Sequence, residues 1–292
     1  MRLSTEQNNP ATKDIDRVDT LTALRMIHEE DKNAVRAMEA ALPALGRAVD
    51  EIAARLANGG RLFYVGAGTS GRIGVLDASE LPATYGVDPS LVKAIVPGGY
   101  DTLPDARLGD EDDRAGARVD FKAEGLCEKD AVVGIAASGR TPYTHEALVY
   151  ANECGAFTAA IVNVENSLLA SAATVAVVSD TGAEVIEGST RMKAGTTQKL
   201  ALNMLSTAVM IKLGKVYGNR MVEMTVVNDK LVARSERMLR ELTGADEQTC
   251  AAMLAACDYQ VKTACVAIVL GCDAETAKKM IAERGGKLGD WL

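Results

Sequence analysis

The chain has 292 residues, 48% hydrophobic and 25% charged, with 32 Lys and Arg against 40 Asp and Glu for a net charge of −8. That length suffices for a large core and about two domains, and the acidic balance excludes a broad basic face for nucleic acid or an anionic membrane. Six cysteines without a CxxC pair, and only two histidines (His28 and His145), supply neither a zinc site nor a His-dependent triad, so no metal is expected.

The first residues, MRLSTEQNNPATKDIDR, lack the apolar run of a secretory signal. With the cysteines unpatterned, the expectation is a cytoplasmic protein with reduced thiols. Residues 19–58 read as helix. Val35, Met38, Leu42, Leu45, Val49, Ile52 and Leu56 follow steps of three and four, and Asn58-Gly59-Gly60 is C-cap chemistry. Pro43 inside this seam predicts a kink or break. The seam serves core packing or, alternatively, a subunit interface.

Five short β-branched runs follow: 61–68, 91–99, 130–139, 157–164 and 174–180. None alternates with period two, as expected of parallel strands covered on both faces. Helical stretches between them predict an α/β three-layer fold with right-handed crossovers, whose ligands sit beyond the strand carboxyl ends. Residues 200–213 are nearly all apolar but too short to span a bilayer, and read as a buried core helix. Near the end, TGADEQTCAAML (243–254) recurs as LGCDAETAKKMI (270–281), with Asp246 and Asp273 placed as N-caps of two helices in a small structural appendage. The expected division is 1–58 (N-terminal helices), 59–225 (sheet domain) and 226–292 (helical domain).

The first run ends in GAGTSGR (66–72), which fits G-x-G-x-x-G. A dinucleotide site would also need a carboxylate at the end of the second strand, and that strand ends Ile95-Val96-Pro97-Gly98-Gly99. Gly68, Thr69, Ser70 and Gly71 at a helix start suit a smaller anion, bound by N–H and hydroxyl groups. ASGRTPY (137–143) offers Ser138, Gly139 and Thr141, with Pro142 suited to a first helical turn. GSTRMKAGTTQK (188–199) adds Ser189, Thr190, Arg191, Lys193, Thr196 and Thr197. One such loop is usually only a turn. Three of them, with no Walker motif, point to a sugar phosphate.

GAGTSGRIGVLDASE (66–80), AASGRTPY (136–143) and GSTRMKAGTTQKLALNMLST (188–207) resemble the N-acetylmuramic acid 6-phosphate etherase family of the SIS (sugar isomerase) superfamily, and TEQNNPAT (5–12) and GKVYGNRMVEM (214–224) agree. The resemblance implies an SIS-type sheet, a homodimer, no cofactor, and cleavage of the D-lactyl ether by elimination followed by water addition. It places the proton donor at Glu80, in a largely apolar stretch that would keep a carboxyl protonated. It places the second active-site carboxylate at Glu111, with Asp110 and Asp112 as neighbouring alternatives. His28 and His145 read as structural and the cysteines as apolar fillers. Two rival readings share the phosphate loops, a non-catalytic phosphosugar-binding regulator and an aldose–ketose phosphate isomerase. Neither needs an acid at the C3 oxygen.

Overall fold

A computed structural model describes residues 3–105, 110–283 and 286–292, so Gly109 of the acidic run lies outside the described residues. The chain forms two compact units: residues 1–79 with 90–206, and residues 80–89 with 207–292. The N-terminal helix thus belongs with the sheet, and the second unit takes in residues 80–89 and everything from 207 onward, where the sequence suggested 226–292.

In the first unit, α1 (Thr20–Ala57) starts where Asp19 accepts the N–H groups of Leu21 and Thr22. It runs unbroken through Pro43 and stops at Asn58, followed by Gly59 at φ +82°. The expected break at Pro43 is therefore absent. Met38, Leu45, Val49, Ile52 and Leu56 are buried as the seam predicts, but Val35 and Leu42 are 61% and 46% exposed. Alanines 34, 41, 48 and 53 complete the buried face instead, because small side chains let the helix approach the sheet closely.

The five strands are β1 (Leu62–Gly66), β2 (Val92–Ile95), β3 (Ala131–Ala136), β4 (Phe157–Val162) and β5 (Val175–Val178). All pair in parallel, in the order β2-β1-β3-β4-β5. Every residue of β1, β3 and β4 is buried, as the missing alternation predicted. At their entry ends, Asp130 accepts the Arg61 backbone N–H at 2.8 Å and the Arg61 guanidinium at 2.7 Å, tying β1 to β3.

Helix α2 (Gly68–Tyr85) lies on one face, where Gly74 approaches Tyr64 and Ile135. On the other face α3 (Arg114–Ala123), α4 (Pro142–Glu153) and α5 (Leu168–Ala172) pack over Phe63, Val65 and Val132, with Phe63 and Phe121 edge to face at 5.7 Å. This is the three-layer α/β fold expected. Helix α6 (Lys193–Lys212) begins earlier than the apolar run alone suggests. Inside the layer facing α2, Tyr64 donates to Asp77 at 2.9 Å and Ser206 donates to its other oxygen at 3.1 Å. Burial pushes the Asp77 carboxyl up, against these two hydrogen bonds.

The second unit packs α7 (Asp229–Thr243), α8 (Glu247–Ala256), α9 (Val261–Leu270) and α10 (Ala274–Glu283) around Val222, Leu239, Leu254, Val266 and the buried Cys250, Cys257 and Cys265. The internal repeat marks equivalent starts: Asp246 accepts the Thr249 N–H at 2.9 Å and Asp273 that of Thr276 at 2.8 Å. Each cap follows a left-handed glycine, Gly244 and Gly271. No single described helix is long and apolar enough to cross a membrane.

Candidate active site

The strand order reverses beside β1, since the chain lays β2 on one side of it and then crosses to lay β3 on the other. That opens a crevice between the carboxyl ends of β1 and β3, where a doubly wound sheet takes its ligand. A hollow of about 380 Å³ occupies it. Gly68, Thr69 and Ser70 line it from the start of α2, Ser138, Arg140 and Thr141 from the turn before α4, and Thr190 from the loop before α6. Glu6 and Glu111 complete the wall. In the first turn of α2 the N–H groups have no partner within the helix, so this rim presents donors and the positive end of the helix dipole.

A second compartment of about 250 Å³ shares Ala67, Gly68 and Glu111 with the first and adds Arg72, Val96, Leu103 and Asp110 among its walls. Glu111 therefore lines both. Pro142 is the first residue of α4, as its position in the sequence suggested.

Buried polar groups hold these loops. Ser70 donates to Gln198 Oε1 at 2.9 Å, and Gln198 Nε2 donates to Asn163 Oδ1 at 3.2 Å. Asn163 Nδ2 in turn donates to the Ser179 carbonyl at 2.8 Å and to Thr197 Oγ1 at 2.6 Å. At the head of α6, the fully buried Glu184 accepts the N–H groups of Lys193 and Ala194 at 3.0 and 2.9 Å. Burial raises its carboxyl, with these bonds acting the other way. The N-terminal segment closes over the same region, where Asn9 donates to Glu30 at 2.9 Å and Thr12 to the Val185 carbonyl at 2.7 Å.

The expected site residues divide. Gly68, Thr69, Ser70, Ser138, Thr141, Thr190 and Glu111 all line the hollow. Gly71 does not; a Cβ there would lie 2.4 Å from the Gly66 carbonyl, so it serves close helix–strand packing. Gly139 shapes its turn at φ +61°. Ser189 stands behind the rim, its N–H donating to Ile186. Lys193 departs from the expectation: it is 1% exposed and paired to Glu30 at 2.5 Å, and it does not line the hollow. Arg191 is exposed and outside the lining. Thr196 and Thr197 are helical residues that bond backward, to the Met192 and Ala194 carbonyls.

Glu80 belongs to the second unit and is exposed, so the apolar setting expected for it is absent within one chain. Twelve residues separate it from Gly68, about 18 Å along α2. Sequence reasoning missed Glu6, Arg72 and Arg140 as wall residues. The two arginines stood inside the quoted glycine-rich motifs, whereas Glu6 reaches the hollow through tertiary contact alone.

Residues 44–152 match the family model of the glucokinase regulatory protein N-terminal SIS domain. N-acetylmuramic acid 6-phosphate etherase of Caldanaerobacter subterraneus subsp. tengcongensis is 49% identical over 99% of this chain and 94% of its own. The etherase of Escherichia coli O81 is 48% identical over 98% and 96%. Among solved structures, a phosphoheptose isomerase from Francisella tularensis superimposes with TM-score 0.53 and 18% identity, covering 66% of this chain and all of that one. A putative phosphosugar isomerase from Bacteroides fragilis gives 0.51 and 20%, covering 69% and 95%. These two likenesses concern the fold alone. With near-half identity along almost its entire length, the chain belongs to the N-acetylmuramic acid 6-phosphate etherase family.

Proposed function

We propose that the protein cleaves the D-lactyl ether of N-acetylmuramic acid 6-phosphate, giving N-acetylglucosamine 6-phosphate and D-lactate. The observation that carries this reading is that three hydroxyl-rich loops line one hollow together with a carboxylate, Glu111, which also lines the hollow beside it. An ether oxygen is a poor leaving group, so elimination is the accessible route. In the open-chain sugar the C1 aldehyde acidifies the C2 proton; Glu111 removes it while an acid protonates the departing C3 oxygen, and water then adds at C3. The two carboxyls must rest in opposite protonation states.

Glu80 is the acid in this reading, and a second copy of the chain brings it to the hollow. Its exposure in one chain, with the 46% exposed Leu76 one turn earlier, supports an intersubunit role. Covering that face would supply the apolar setting an acid needs to stay protonated. Leu21, Leu24, Val35 and Leu42 on α1 give the same homodimer more apolar surface to cover. We place the enzyme in the cytoplasm, where phosphorylated sugars are handled.

The test is lactate release from N-acetylmuramic acid 6-phosphate by the purified protein. Folded protein that binds the phosphosugar and releases none would favour the regulator reading. In H₂¹⁸O the label enters the sugar at C3; label in lactate would indicate attack on the lactyl side.

A further inference from the structure

We propose that the smaller compartment is the lactyl subsite and that Arg72 bonds the lactyl carboxylate. This rests on the etherase reading above and adds to it the residue that recognises the group to be removed. The substrate is anionic at two separate places, the phosphate on C6 and the lactyl carboxylate on O3. The hollow carries one cation in each compartment among the described residues, Arg140 in the larger and Arg72 in the smaller. Glu111 lines both, so a sugar whose phosphate takes the loops of the larger can present C2 and C3 to it while its lactyl group enters the smaller.

Arg72 is half-buried, and its Nε donates to the Leu103 carbonyl at 2.7 Å. That bond fixes the guanidinium plane and leaves its two terminal nitrogens without a protein hydrogen-bond partner among the described residues. Such an edge suits a carboxylate held by two parallel hydrogen bonds. Val96, Pro97 and Leu103 offer apolar wall for the lactyl methyl group. Asp105 and Asp110 share the compartment, so an anion is admitted only by bonding Arg72 directly.

The experiment compares kcat/KM for N-acetylmuramic acid 6-phosphate and for its lactyl methyl ester, in the unmodified protein, Arg72→Ala and Arg72→Lys. Inhibition by N-acetylglucosamine 6-phosphate, which has no lactyl group, is measured alongside. The unmodified enzyme is expected to prefer the acid over the ester by about ten- to a hundredfold. Arg72→Ala loses about that factor on the acid only, bringing the ratio near one, and Arg72→Lys recovers part of it. Inhibition by the product stays unchanged in both variants.

A ratio near one in the unmodified enzyme overturns the proposal and needs no variant. Equal losses on acid, ester and product would assign Arg72 to holding the Leu103 turn instead. If the unmodified protein binds both phosphosugars but releases no lactate, the etherase reading fails. The subsite then stands or falls on the same comparison made as binding affinities.

Discussion

Lys193 and Glu30 meet at 2.5 Å inside the first unit, joining the head of α6 to α1 across more than 160 residues. Lys193 is buried and Glu30 partly so, and removing the lysine leaves Glu30 with only the Asn9 and Asn33 amides. Lys193→Met should therefore destabilise the protein by about 1.5–3 kcal/mol, read as a lower urea midpoint. Phosphosugar affinity of the molecules still folded should change little, because Lys193 does not line the hollow. A large affinity loss without a stability loss would return Lys193 to the ligand. Burial raises the Glu30 carboxyl, but hydrogen bonds from Lys193 and Asn9 outweigh it and hold it below the usual glutamate range. This contribution is present above that range and is lost as pH falls through the folded value. Glu30→Gln should remove that part of the acid dependence of stability.

If Glu80 acts from one copy and Glu111 from the other, Glu80→Gln and Glu111→Gln are each inactive alone but complement when subunits exchange. Half of a random equal mixture is mixed dimer, and each mixed dimer has one complete site of two. About a quarter of unmodified activity should return. Mixed dimers shown to form yet giving no lactate would place both carboxylates in one chain's site.

Gly139 sits at φ +61°, and a Cβ there would lie 2.2 Å from the Ser167 hydroxyl that caps α5. Gly139→Ala combines backbone strain with a collision and should cost about 1–3 kcal/mol. It should also weaken phosphosugar binding through the displaced Ser138 turn. Gly59→Ala supplies the comparison, since Gly59 has φ +82° and open space around it. Equal losses in urea denaturation would remove the Ser167 contact from the account.

The cysteines differ in access. Cys250, Cys257 and Cys265 are buried in the second unit, and burial pushes the Cys265 thiol up to about 11. Iodoacetamide at pH 8 should leave these three unmodified in the native protein, with labelling confined to the half-buried Cys127, Cys154 and Cys272. All six should react in denaturant, as mass spectrometry would count. Early labelling of Cys265 would contradict the packing described.

The inner strands β1, β3 and β4 were legible because burial on both faces leaves continuous apolar runs, while the edge strands β2 and β5 alternate buried with half-buried residues; the helix starts at Pro142, Asp246 and Asp273 were legible because capping chemistry is local. The face of α1 was less so: counting large apolar residues includes Val35 and Leu42 but overlooks the alanines on which the helix packs. At Pro43 the helix continues without a break, since a 38-residue helix tolerates one missing hydrogen bond. Of the site, the glycine- and hydroxyl-rich loops were visible as motifs. Lys193 looked like a phosphate ligand because nothing near it in sequence announces Glu30. Glu6 became a site residue only when the chain folded back on itself, whereas Arg72 and Arg140 sat unremarked inside the loop motifs.

The hydrogen-bond chain behind Ser70 has a direction. The Ser179 carbonyl can only accept, and Thr197 has its own proton committed to Ala194, so the Asn163 amide is oriented with nitrogen toward both. Its oxygen must then receive Gln198, whose oxygen must receive Ser70. The Ser70 proton consequently points into the protein. What this serine shows the hollow is a lone pair, suited to a sugar hydroxyl or a protonated phosphate oxygen, while the charge of a dianion is left to the amides at the head of α2.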